Sequence, residues 1–153
     1  MHERTREAEV TFTVPGDAAP QGSKRAFRTK GGRIALVESS SKVKPYRAAV
    51  AAAAVVAGVR VIDGPVNVVA VFTFVRPRSH YTGKGALKAS APVAPGKPDL
   101  DKLARAVGDA LTGVAYRDDA QITRWHLQKR YGEQAGTEIT VDRKSTRLNS
   151  SHI

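Results

Sequence analysis

Residues 65–75 read PVNVVAVFTFV, and no other segment constrains the fold as firmly. In an extended chain, Val66, Val68, Ala70, Phe72 and Phe74 point to one side and Val69, Val71 and Val75 to the other. β-Branched and aromatic side chains favour a pleated strand. Apolar residues on both faces belong to a strand covered on both sides. The segment therefore predicts a central strand, with room on one face for a second subunit. Arg76-Pro77 ends it, because proline offers no donor to a ladder.

The remaining elements arrange themselves around that strand. In Glu9–Pro15 (EVTFTVP), Val10, Phe12 and Val14 alternate with Thr11 and Thr13, the pattern of a half-buried strand closed by Pro15-Gly16. Lys44–Val59 reads as a helix: Pro45 suits the first turn, the alanine run has high propensity, and Gly58 is a natural stop. A second helix is predicted over Asp101–Thr112, then strands at Ile122–Arg130 and Thr137–Val141 joined by a hairpin loop. In the first of these strands Thr123, Trp125 and Leu127 form a core-like face, and Arg124, His126, Gln128 and Arg130 a basic one. The order β-α-β-α-β-β predicts one small α+β domain over residues 8–141, a mixed sheet with about two helices. Two long loops interrupt it. Asp17–Ser41 carries Lys24, Arg25, Arg28, Lys30 and Arg33 and has room for a hairpin arm at Arg33–Val37. Arg78–Lys97 carries His80, Tyr81, Lys84 and Lys88, and loops of that length are often functional.

Composition narrows the function classes. The chain holds 25 Lys+Arg against 14 acidic residues, a net charge of +11, which favours a nucleic acid or another polyanion as partner. There is no cysteine, which excludes disulfides and thiolate metal sites. The N-terminus MHERTREAEV lacks the apolar core of a signal peptide. The apolar run Ala48–Ala57 is well short of the ~20 residues that span a bilayer. The expectation is a soluble cytoplasmic protein with no membrane partner. No GxxxxGK[ST] or strand-borne GxGxxG is present, so no nucleotide cofactor is expected. Residues 142–153, DRKSTRLNSSHI, have no apolar period and resemble one reading frame of a common DNA-sequencing adapter. They are expected to be non-native, with the native C-terminus after Val141 missing.

Against this basic background, KPDLDKLARAVGDALTGVAYRDDAQI (residues 97–122) gathers five aspartates: Asp99, Asp101, Asp109, Asp118 and Asp119. On a helix Leu100, Leu103, Ala104, Val107, Ala110 and Leu111 form the core stripe. Asp101 and Arg105, and Arg105 and Asp109, are spaced to meet. Pro98 biases Lys97 toward an extended conformation, which puts Asp99 in the lead-in to the helix. An acid at a helix start can cap it and interact favourably with the macrodipole. Converging carboxylates can instead hold Mg²⁺, which takes hard oxygen ligands. The D-x-D spacing alone leaves both open.

The whole stretch is more specific. DLDK, DAL and DDAQ, in that order, resemble the RusA family of Holliday-junction resolvases, phage-derived endodeoxyribonucleases, and a looser likeness runs over residues 8–141. The resemblance implies a RusA-like fold and a Mg²⁺-dependent endonuclease, Mn²⁺ able to substitute. It would resolve four-way junction DNA by paired symmetric nicks, as a homodimer, in recombination and repair within a bacterial or phage-infected cell. It implies Asp99, Asp101 and Asp119 as catalytic carboxylates and metal ligands, with Asp118 as a neighbouring acid. The family's functional lysine falls on Arg105, and the usual Asn after the second Asp is Lys102; either could supply the catalytic cation. Lys24, Arg25, Arg28, Lys30, Lys84 and Lys97 are expected to contact DNA. A metal-dependent flap or fork nuclease, or a non-catalytic basic DNA-binding protein, would use the same charges.

Overall fold

Strand β4 (Val66–Phe74) is the spine of a four-stranded mixed sheet of order β1 (Val10–Pro15), β6 (Gly136–Arg143), β4, β5 (Ile122–Tyr131). The structure, a computed structural model, describes residues 9–22, 24–28, 30–31, 34–38 and 41–143. Strand β4 pairs antiparallel with β6 (Gly136–Arg143) and parallel with β5 (Ile122–Tyr131), and β6 pairs antiparallel with β1 (Val10–Pro15). Two helices, α1 (Val43–Val56) and α2 (Leu100–Leu111), pack against one another, α1 also on β1 and α2 on β5. The chain is thus α+β, as the pattern predicts. The Asp17–Ser41 loop does contain a hairpin, β2 (Lys24–Arg28) with β3 (Ile34–Glu38), as a separate two-stranded sheet.

The core lies on one face. Val66, Val68, Ala70 and Phe72 of β4 are buried with Phe12 and Val14 of β1 and Ile139 and Val141 of β6. From the helices come Tyr46, Val50 and Ala54, then Leu103, Val107 and Leu111. Full burial of each large apolar side chain contributes about 1.5–3 kcal/mol. The opposite face of β4, with Val69 and Val71, is only half-buried: the helices cover one side where the sequence predicts cover on both. A buried hydrogen bond, Tyr46 Oη to Thr137 Oγ1 at 2.7 Å, ties α1 to β6. Burial pushes the Tyr46 phenol up to about 12, against a smaller lowering by Thr137.

Between β4 and α2 the long loop is pinned at its start. The Arg76 guanidinium lies 4.3 Å over the Tyr131 ring and donates to Pro92 O at 2.7 Å. His80 meets the same ring edge-on at 5.5 Å. His80 is therefore a half-buried packing residue, whereas Tyr81 is exposed. Strand β6 includes Asp142 and Arg143, which pair with Asn67 and Val66. Residues 144–153, the rest of the tail expected to be non-native, lie outside the described residues.

Candidate active site

Helix α2 and strand β5 carry the acidic stretch, and the way each begins decides where its carboxylates go. The chain enters α2 through Gly96–Asp99, with a cis Lys97-Pro98 bond. Lys129, on the helix-facing side of β5, donates from Nζ to Gly96 O at 2.6 Å and Pro98 O at 3.0 Å. Asp99 occupies the N-cap position with extended backbone (φ −66°, ψ 138°), and its carbonyl accepts from Leu103 N at 3.1 Å. Its side chain caps nothing; Asp99 Oδ1 accepts instead from Lys97 Nζ at 3.2 Å. Asp101 is exposed in the first helical turn, where a negative charge suits the macrodipole.

An open groove runs between α2 and β5. Asp101, Ala104, Arg105 and Gly108 line it from the helix, and Asp119, Ile122, Trp125 and Leu127 from the strand side. Its floor is apolar and its rim is charged. The spacing allows Arg105 to pair with Asp101 or Asp109, but among the described residues it pairs with neither. An exposed pair gains too little to hold two side chains in one geometry, so the guanidinium is left to the groove. Helix α2 ends where Gly108 O accepts from Thr112 Oγ1 at 3.0 Å and from the buried Tyr116 Oη at 2.6 Å. Gly113 then turns at φ +87°, a region closed to most side chains.

The turn before β5 is stitched down by side chains. Asp118 caps the short 3-10 turn Asp119–Gln121, its Oδ1 accepting from Ala120 N at 2.9 Å. Gln121 donates from Nε2 to Ile62 O (2.8 Å) and Gly64 O (2.9 Å), and its Oε1 accepts from Arg117 N (2.8 Å) and Asp118 N (3.2 Å). Arg117 also pairs with Asp63. Asp119 is thereby presented to the groove. Its carboxyl is pushed above the usual carboxylate range by lost hydration, then by the hydrogen bond and charge of Asp118 and the charge of Asp109. Crowded like charges hold on to a proton.

Asp101, Arg105 and Asp119 thus share one groove, with Asp118 as a cap at its edge. Asp99 and Lys102 do not line it; they face a separate hollow with Pro20, Lys97 and Pro98. Among the described residues no group of three or more acidic or histidine side chains is close enough to hold one metal ion. Lys30 and Lys84 are exposed on other loops, and Lys97 is exposed beside Asp99. The side chains of Lys24, Arg25 and Arg28 lie outside the described residues. Asp109, which the i,i+4 pattern assigns to Arg105, instead adds its charge to the Asp119 end. The anchoring roles of Gln121 and Lys129 are not in the sequence reading. The one available signal was a lysine in the core-facing register of β5, two residues beyond Leu127.

Residues 15–142 match the Endodeoxyribonuclease RusA family. The chain belongs to that family. The RusA match covers both helices, strands β2 to β5 and nearly all of β6, so every acidic and cationic residue of the groove lies inside it. The chain is also similar to the uncharacterized protein YqaN of Bacillus subtilis (strain 168), 28% identical over 142 residues, which are 86% of this chain and 94% of that protein. As a RusA-family member this chain is an endodeoxyribonuclease. No helix among its described residues is long and apolar enough to cross a membrane.

Proposed function

We propose that this endodeoxyribonuclease resolves four-way DNA junctions by paired symmetric nicks, as a homodimer, with Mg²⁺ held by the groove's carboxylates. The observation that carries this reading is that Asp101, Asp119 and Arg105 line one open groove, Arg105 making no ion pair among the described residues. Family membership supplies the class of reaction. The residues present fit a hard divalent ion. The groove's acidic groups are carboxylates, there is no thiolate in the chain, and the crowding at Asp119 is one that a cation would relieve. Asp101 and Asp119 are the proposed ligands, with Asp118 at the groove's edge and Asp99 in the separate hollow before the helix; Mn²⁺ would serve in the same place. When bound, the ion activates water and stabilises charge on the attacking and leaving oxygens.

The chain's own part is to hold and neutralise the phosphate. Arg105 presents a planar fork that can donate twice to phosphate oxygens. Lys102 lines the Asp99 hollow, which makes Arg105 the better placed of the two cations for a strand lying in the groove. Lys24, Arg25, Arg28, Lys30, Lys84 and Lys97 are proposed contacts to the DNA backbone outside it. Two paired strands need two sites related by symmetry, which a two-fold dimer provides.

Purified protein on a synthetic four-way junction, with and without Mg²⁺, tests this. The expected result is symmetric paired nicks that require Mg²⁺ and fall at least about 100-fold in Asp101→Asn, as expected for a preorganised electrostatic contribution of this kind. Cleavage of flaps with junctions left whole would instead assign a flap nuclease. Junction binding with no cleavage in Mg²⁺ or Mn²⁺ would overturn the reading.

A further inference from the structure

The candidate acidic residues sit on two segments far apart in sequence, and strand β5 touches both. Gln121 immediately precedes β5, and Lys129 lies near its far end. Each side chain is committed to backbone groups of a segment that presents an aspartate.

At Gln121 the carboxamide uses its full capacity: two N–H donors and two acceptor sites. Both donors meet carbonyls, Ile62 O and Gly64 O, and the oxygen meets two N–H groups, of Arg117 and Asp118. Only one orientation of the amide satisfies this set, since a flip would turn oxygen toward carbonyls and NH₂ toward N–H donors. The Asp118-Asp119 turn is thus joined to the loop leading into β4. At Lys129, a half-buried residue, the ammonium bridges the carbonyls that flank Lys97, the residue whose own ammonium donates to Asp99. A charged donor between two carbonyls makes bonds of the stronger kind. It fixes the chain just before α2, and with it Asp99 and the first turn bearing Asp101.

We propose that Gln121 and Lys129 are positioning residues, clamps at the two ends of β5 that set the Asp119 turn and the Asp99–Asp101 segment at a fixed spacing. They touch neither DNA nor the reacting atoms. The inference rests on the metal-dependent reading above, and it adds that the geometry of the acidic groups depends on the contacts of one carboxamide and one ammonium. Groups that orient metal ligands change metal affinity or activity by about 10–100-fold when removed.

The test uses the full chain and Mg²⁺ alone as probe. Lys129→Met keeps the length of the side chain without its donors, Lys129→Arg restores donors, and Gln121→Glu replaces two donors by a carboxylate facing carbonyls. Two quantities are read besides cleavage: the Mg²⁺ concentration giving half the maximal shift in melting temperature, and junction affinity in EDTA. The expected result is a rise of about 10-fold or more in that Mg²⁺ concentration for Lys129→Met and Gln121→Glu. Junction affinity should stay within about twofold, and Lys129→Arg should recover most of the loss. Should Gln121→Glu fail to fold, the Lys129 pair decides. Folded variants whose Mg²⁺ response equals that of the parent would overturn the clamps while leaving the metal reading intact. A parent protein that shows no Mg²⁺ response and no cleavage would overturn the metal reading itself.

Discussion

At the scale of single residues, the five aspartates of the stretch have separated into different physical situations. Asp118 spends an oxygen on a cap, Asp99 accepts from Lys97, and Asp101 is exposed on a first helical turn. Asp119 is the one whose ionisation the protein resists, by lost hydration and by the neighbouring Asp118 and Asp109. A carboxyl with a raised folded-state pKa favours folding while it is protonated. That contribution is complete below its unfolded value and is lost as pH rises through the folded value. At neutral pH without metal, Asp119 is therefore a source of repulsion. Asp119→Asn should raise the melting temperature of the metal-free protein at pH 7, with the difference shrinking as pH falls through the raised folded value of Asp119 and gone below the ordinary aspartate value. The same variant should lose most of the Mg²⁺-induced stabilisation of the parent. Thermal melts across pH 3–8, in EDTA and in Mg²⁺, measure both effects. A variant less stable than the parent at pH 7 in EDTA would mean that Asp119 makes a favourable contact rather than a crowded one.

At the scale of elements, α2 is a conventional amphipathic helix with one unconventional residue. Gly108 is buried in its second half, at negative φ, where glycine costs about 1 kcal/mol relative to alanine. A Cβ built there would lie 3.5 Å from a Trp125 ring carbon and 3.9 Å from Tyr116 Oη, ordinary contact distances. Gly108→Ala should therefore fold and gain up to about 1 kcal/mol in chemical denaturation. A loss of stability would show that Trp125 has no freedom to accept the methyl. Strand β4 and helix α2 were legible in the sequence because each repeats its period over nine or more residues. The hairpin β2–β3 was legible only as a basic loop with space for an arm. Other features could not be read from any period. The side chain of Asp99 lies outside the groove, beside Lys97, and no rule of spacing contains that placement. The contacts of Gln121 to Ile62 and Gly64 and of Lys129 to Gly96 and Pro98 join segments that meet only when the sheet closes. A helical spacing that allowed Arg105 to pair with Asp109 did not oblige it to, since solvent and side-chain entropy decide exposed pairs.

At the scale of the whole molecule, two opposed fields have to coexist. The net charge of +11 draws DNA toward the protein, and the carboxylates at the groove repel the one phosphate that must enter. The two act over different ranges. In the proposed reading, backbone contacts spread over the basic loops would set affinity through release of counterions from DNA. The groove charges act over a few ångströms and would be cancelled locally by the proposed cation. If the six basic residues proposed outside the groove each engage a phosphate, junction affinity in EDTA should fall about 10³-fold between 50 and 200 mM salt. Asp119→Asn should shift that line toward tighter binding at every salt concentration while leaving its slope unchanged, because the carboxylate releases no counterion from DNA. Fluorescence anisotropy with a labelled junction over a salt series reads slope and offset separately. A slope near that of one or two phosphates would mean that the basic loops face something other than DNA. A slope that changed with Asp119 would mean that the acidic groove and the cationic surface are not independent. The separation matters for turnover as well as for affinity. Binding that rests on the outer loops can be strong before the metal arrives, so the groove needs to be attractive only to a phosphate that comes with a cation.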